Sequence, residues 1–134
     1  MTENHRVLSP KQTLLLILLP LLGTFGCLRL YLHLMGVRHI FPGGYLVHHL
    51  FVGILIALPA AFLLAFDTLD RRLAISSRVA LGIGSAMILD EVIYLVATKA
   101  TDEDYVSGVS LFGALAFIFL AAMLLLALYK LNRD

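Results

Sequence analysis

The sequence predicts an all-α protein: a four-helix transmembrane bundle in up-down-up-down order that forms a single domain over residues 1–134. Hydrophobic residues make up 60% of the chain and charged residues only 14%, whereas soluble domains contain about 25% charged residues. Mean hydropathy is +0.95. A soluble domain of this size leaves a large share of its surface facing water. Lipid is therefore the solvent that this composition fits.

The first two predicted helices cover residues 10–35 and 44–66, each long enough for the roughly 20 apolar residues that cross a bilayer. Ser9, Pro10 and Gln12 open the first one with a capping residue, a proline at the first helical position and a glutamine three residues after the cap. Pro42 and two glycines form a turn signal before the second. Since only a helix satisfies its own backbone in lipid, both segments are predicted to be α-helices.

The third and fourth predicted helices cover residues 77–98 and 102–129. The third is the least apolar of the four because it contains Asp90 and Glu91. The fourth begins after Thr101 with an acidic first turn, where the helix dipole favours negative charge. The short connections predict that sequential helices are antiparallel neighbours.

The distribution of Lys and Arg predicts the orientation in a cytoplasmic (inner) membrane. Seven basic residues fall on one side of the predicted spans and two, Arg38 and Lys99, on the other. The seven are Arg6, Lys11, Arg71, Arg72, Arg78, Lys130 and Arg133. The positive-inside rule then places both termini in the cytoplasm. Both termini lie on the same side of the membrane only if the number of crossings is even, which requires the third segment to cross as well. The charge distribution therefore supports the third segment as a span.

Six ionisable side chains lie inside the predicted spans. They are Arg29 and His33 in the first, His48 and His49 in the second, and Asp90 and Glu91 in the third. The histidine pair and the carboxylate pair are equidistant from the loop between the second and third spans, so they are predicted to lie at one depth, in the outer half of the bilayer. Because charged groups are costly in lipid, this layer is the candidate functional site.

Rows of small residues indicate that the polar layer faces other helices. Gly53 and Ala57 follow His49 at intervals of four, and Gly82 and Ala86 precede Asp90 in the same way. Small residues let membrane helices approach closely. We therefore expect the polar groups to point away from lipid.

The first hypothesis is a divalent metal site. Imidazole and carboxylate ligands suit zinc, iron or manganese. The predicted ligands are His48, His49, Asp90 and Glu91, with Arg29, His33 and Tyr94 around them. A metal-bound water could serve hydrolysis or oxidation, with Glu91 or Asp90 as general base; whether the chain is an enzyme stays open.

Three alternatives remain open. The cluster could be a structural network that fixes helix packing in a homo-oligomer or in a subunit that assembles with another membrane protein. It could be part of a component that transports protons or small solutes, since ionisable groups in membranes often mark such routes. It could also bind haem through His33 and His48 or His49. With a net charge of +1 and no basic run, nucleic acid is not an expected partner.

The segment His48-His49-Leu50-Phe51-Val52-Gly53, the glycines at 82 and 84 and the sequence Leu89-Asp90-Glu91 resemble a group of small membrane proteins. These are functionally uncharacterised multi-span proteins of bacteria and archaea with an HHxxxG segment and a Gly-rich helix ending in Asp-Glu. The resemblance covers the second and third helices. It implies a prokaryotic integral membrane protein and brings no assigned activity.

Overall fold

The computed structural model describes residues 8–37, 47–66 and 70–133. These residues form five helices, and the prediction of an all-α chain is confirmed for this part of the sequence. The helices are α1 (Pro10–Met35), α2 (His49–Leu64), α3 (Arg71–Ala97), α4 (Asp102–Tyr105) and α5 (Gly108–Asn132). The start of the predicted second helix at 44–46, and the basic residues Arg6 and Arg38, lie outside the described residues.

Helix α1 has the predicted bounds because its start is capped as the sequence indicates. The Ser9 hydroxyl accepts the backbone N–H of Gln12, and the Gln12 side chain accepts the backbone N–H of Ser9. Helix α3 begins at Arg71 rather than at residue 77, because the Asp70 carboxylate accepts the N–H of Leu73 at 2.8 Å and caps the helix there.

The predicted fourth helix is two helices in the structure. Thr101 caps the single turn of α4, with Asp104 completing a capping box. Ser107 then caps α5 by accepting the N–H of Ser110, and its own hydroxyl donates to the Asp104 carbonyl. Two capping residues six positions apart therefore start two separate helices, and the acidic residues belong to α4 rather than to the first turn of a span.

Helix α3 lies at the centre of the molecule and packs on α1, α2 and α5, while α1 also packs on α5. Contacts at the two ends of α1 and α3, Thr13 with Arg78 and Arg29 with Asp90, show that these helices run parallel. Helix α2 runs antiparallel to α3, with His48 beside Glu91 and Ala57 beside Gly84. Among the described residues, helix α2 packs extensively against α3 but not against α1 or α5. The predicted four-helix bundle, in which all helices surround one common core, is therefore not confirmed.

The α2–α3 contact depends on glycine. A Cβ atom placed on Gly53 would lie 2.7 Å from the carbonyl oxygen of Gly84, and one on Gly84 would lie 2.6 Å from that of Gly53. The two backbones therefore touch directly, as the rows of small residues predict. On the opposite side of α3, a buried cluster of apolar residues fills the space between α1, α3 and α5. Its members are Leu21, Phe25, Ala86, Ala114 and Ile118.

Three helices, α1, α3 and α5, are long and apolar enough to cross a membrane, and α2 is a shorter apolar helix. Their outer surfaces expose large apolar side chains, such as Leu19 at 60%, Leu55 at 75% and Phe112 at 71%. Continuous exposed apolar surface of this kind is rare on soluble monomers. It is compatible with a membrane protein whose outer surface faces lipid.

Candidate functional site

The structure brings His48, His49, Asp90 and Glu91 together where the N-terminus of α2 meets α3. Asp90 and Glu91 are buried, with side-chain exposures of 1% and 4%. The imidazoles of His48 and His49 are 19% and 22% exposed. Neighbouring residues on a helix point about 100° apart, so Asp90 faces α1 and α5 while Glu91 faces α2.

Asp90 is the partner of Arg29 from α1. The Arg29 Nε donates to Asp90 Oδ1 at 2.5 Å, and Nη2 donates to the Asp90 carbonyl oxygen at 3.0 Å. The Nη2 group also lies 3.3 Å from Ser110 Oγ and 3.4 Å from its carbonyl oxygen, and Nη1 lies 3.5 Å from the carbonyl oxygen of Tyr105. The planar guanidinium thus reaches acceptors on α3, α4 and α5 at once, a geometry that a lysine could not reproduce.

Glu91 joins α3 to the first turn of α2. Its Oε1 lies 2.5 Å from His48 Nδ1, and its Oε2 accepts the backbone N–H of Leu50 at 2.8 Å. His48 precedes α2 in extended conformation and makes no side-chain cap. A carboxylate from α3 therefore takes the place of the missing cap and satisfies one of the free N–H groups at the start of α2.

His49 links the two carboxylates. Its Nε2 lies 3.2 Å from Asp90 Oδ2, and its Nδ1 lies 3.4 Å from Glu91 Oε2. The imidazole is thus shared between the Arg29–Asp90 pair and the His48–Glu91 pair. These contacts make one connected polar network that reaches α1, α2 and α3.

Tyr105 closes the network from the side of α4. Its hydroxyl donates to Asp90 Oδ2 at 3.0 Å and lies 3.4 Å from both ring nitrogens of His49. Its ring packs against Tyr94 with a centroid distance of 4.7 Å and lies 5.5 Å from the guanidinium carbon of Arg29. Burial raises the pKa of the Tyr105 phenol, and the nearby carboxylates of Asp90 and Glu91 add to that increase.

Among the residues predicted to surround the site, Arg29 is in direct contact with it and Tyr94 lies at its edge. The Tyr94 ring is 6.2 Å from that of His48, and its hydroxyl donates to the carbonyl oxygen of Ala100 at 2.8 Å. His33 is different: it lies in the last turn of α1 with its side chain exposed. Its expected role around the site stays a prediction.

The sequence reasoning missed Tyr105 and Ser110. A continuous helix over residues 102–129 gives no reason to assign Tyr105 to the site, whereas in the structure α4 ends at Tyr105 and its hydroxyl donates to Asp90. Ser110 is fully buried, and it is a polar residue in the first turn of α5, which is otherwise strongly apolar. A buried hydroxyl in such an apolar helix is a signal that a polar partner lies nearby.

The carboxylate oxygens that would bind a metal ion are already engaged in hydrogen bonds and ion pairs. Asp90 oxygens are engaged by Arg29 and Tyr105, and those of Glu91 by His48 and the Leu50 N–H. Within residues 8–37, 47–66 and 70–133, no group of three or more His, Cys, Asp or Glu side chains is arranged to hold a metal ion. As the side chains stand, they bind one another, and the residues do not fit a four-ligand site without rearrangement.

Comparisons with protein-family models, with curated proteins and with solved structures find no match for this chain. Its function therefore has to be inferred from the network itself.

Proposed function

We propose that this chain is a four-span subunit of a prokaryotic cytoplasmic membrane, with both termini in the cytoplasm, in which the polar network locks the helices into one register for assembly. One observation carries the proposal: a single guanidinium, that of Arg29, binds acceptors on α3, α4 and α5 while itself belonging to α1. Glu91 connects α2 to the same network through its contacts with His48 and with the backbone N–H of Leu50.

The energetics of the bilayer favour this role. A charged side chain in a membrane helix costs up to about 3.5 kcal/mol on insertion scales, the value that applies at the helix centre. Pairing Arg29 with Asp90 offsets much of that cost only when the helices are docked correctly. A shifted register would leave a buried carboxylate without its cation, and such an uncompensated charge is strongly destabilising. The network therefore favours one arrangement of helices over its alternatives.

The four-span topology is part of the same proposal. Helix α2 lies along α3 from the level of Glu91 past Gly84, in the antiparallel direction expected of a membrane hairpin. A crossing by α2 puts α1 and α3 in one direction and α2 and α5 in the other. Both ends of the chain then lie on the side rich in Lys and Arg.

The test compares purified wild-type protein with the Asp90→Asn variant in detergent, measuring melting temperature and bound metal. We expect a folded wild-type protein without metal, and a melting temperature lower by about 5 °C or more in the variant. A variant with unchanged melting temperature would contradict a locking role. Ser85→Ala, a change on the same helix outside the network, is the matched control.

Divalent metal binding is the second candidate, and one observation favours it: both imidazoles lie within 3.4 Å of the Glu91 carboxylate. His48, His49 and Glu91 would then hold zinc, iron or manganese after the Leu50 N–H is released. Elemental analysis of wild type and His49→Ala separates the two candidates. Stoichiometric metal in the wild type, lost in the variant, would favour this reading, whereas metal-free folded protein rejects it.

A further inference from the structure

The short length of α2 has a consequence for access to the network. Its 16 residues span about 24 Å at 1.5 Å per residue, while the hydrocarbon core is about 30 Å thick. Helices α1, α3 and α5 have 26, 27 and 25 residues. His48, just before α2, lies beside Glu91, and α3 continues from Glu91 to Ala97, about 9 Å further. If the end of α3 lies at the outer surface, the N-terminal end of α2 lies about 9 Å inside that surface.

The side chains at that end of α2 are polar, and the residue before the helix is not helical. His48 is extended, with φ −75° and ψ 141°, and its imidazole and that of His49 are 19% and 22% exposed. Non-helical backbone at membrane depth is tolerated where it is enclosed by protein or lines a water-filled space. The exposed parts of these imidazoles would therefore be unfavourable against acyl chains and favourable against water.

On the opposite side of the network, Asp90 is covered by partly buried side chains. Tyr105 lies over Asp90 and His49, its ring packs on Tyr94, and Arg29 contacts the Tyr105 carbonyl oxygen. The Asp90 carboxylate is thus 1% exposed, whereas the Arg29 side chain is 13% exposed and the imidazoles at the α2 side are the most exposed ionisable groups of the network, at 19% and 22%.

The formal charge of the network points to the class of solute that would enter. Asp90 and Glu91 contribute two negative charges and Arg29 one positive charge, which gives −1 with the imidazoles counted as neutral. A negative site with walls of low dielectric attracts small cations and repels small anions.

We propose, on the basis of the four-span topology above, that water reaches the polar network from the outer face beside the N-terminus of α2, and that the network admits small hydrophilic cations rather than lipids. This inference deepens the proposed function by naming the side of access and the chemistry of the solute. Partial exposure of the imidazoles and the length of α2 support it independently.

Cysteine labelling in intact cells tests this access. Cys27 is the single native cysteine, so Cys27→Ser provides the background. Single cysteines are placed at His48, which removes one contact of the network, and at Val47, which leaves every residue of the network in place. Membrane-impermeant methanethiosulfonate reagents are added from outside, one carrying a trimethylammonium group and the other a sulfonate group.

Three control positions separate this inference from the topology on which it rests. Leu55→Cys lies on the exposed face of α2, facing lipid, and should not react. Lys99→Cys, exposed after α3, should react from outside, and Arg72→Cys, exposed in the first turn of α3, should react only after permeabilisation. If Lys99→Cys and Arg72→Cys react from one side, the topology itself fails.

With the topology controls in order, Val47→Cys and His48→Cys should react from outside. The cationic reagent should react on the order of tenfold faster than the anionic one, relative to the same ratio at Lys99→Cys. Adding Glu91→Gln to Val47→Cys should bring that ratio toward the Lys99→Cys value. Absence of labelling at both positions, labelling only after permeabilisation, or equal rates for the two reagents would each overturn the proposal.

Discussion

Replacing Arg29 with methionine leaves the Asp90 carboxylate, 1% exposed, without its cation. Removal of one partner of a buried ion pair costs about 3–5 kcal/mol, because the remaining charge stays buried and uncompensated. We therefore expect Arg29→Met to lower the free energy of unfolding by that amount. The loss would be a large part of the total stability of a domain this size.

Two further variants separate charge from geometry. Arg29→Lys keeps the positive charge but replaces three donating nitrogens by one, so it should cost about 1–2 kcal/mol. The double variant Arg29→Met/Asp90→Leu removes both charges and should lie within about 1 kcal/mol of the wild type, since apolar replacements of buried pairs are often neutral.

Equilibrium unfolding in mixed micelles, driven by increasing denaturing detergent and followed by circular dichroism, measures the wild type, these three variants and the single variant Asp90→Leu under one condition. The reasoning is refuted if Arg29→Met unfolds within about 0.5 kcal/mol of the wild type, the range of ordinary surface substitutions. It is also refuted if the double variant shows the summed losses of the two single ones, because the two residues would then act independently.

Other predictions concern the packing and the α4 region. Gly84→Ala should lower stability by about 1–3 kcal/mol, since its Cβ would lie 2.6 Å from a carbonyl oxygen of α2, while Gly26→Ala, with nothing within 4 Å, is the harmless control. Ala100→Gly should raise the melting temperature, because Ala100 has φ 57° and glycine removes about 1 kcal/mol of strain there. Because the pKa of Tyr105 is raised in the folded protein, its buried phenol contributes its full stabilisation of the fold at pH values below the ordinary tyrosine pKa. That stabilisation is lost as the pH rises from the ordinary tyrosine pKa toward the higher pKa of the folded state. Melting temperatures between pH 9 and 11 should therefore fall less steeply in Tyr105→Phe than in the wild type; parallel curves would contradict this.

The sequence by itself determined the helical class, the bounds of α1 and the meeting of His48 and His49 with Asp90 and Glu91. Composition and segment length decide the helical class, because only helices satisfy their backbone in so apolar a chain. The capping box at Ser9 and Gln12 is local chemistry, readable from a few neighbouring residues. The meeting of His48 with Glu91 followed from equal distances along an antiparallel hairpin, which needs only the rise per residue.

The tertiary structure decided which groups pair and what encloses them. The pairing of Asp90 with Arg29, and of Glu91 with the start of α2, depends on the rotation of each helix about its axis. The sequence does not set that rotation for α3, because rows of small residues lie on two of its faces. Tyr105 joins the site only because two separate caps break the predicted fourth helix. The sequence also does not predict that α3 is the central helix. Packing among apolar helices in lipid is set by shape complementarity over their whole length rather than by any local pattern.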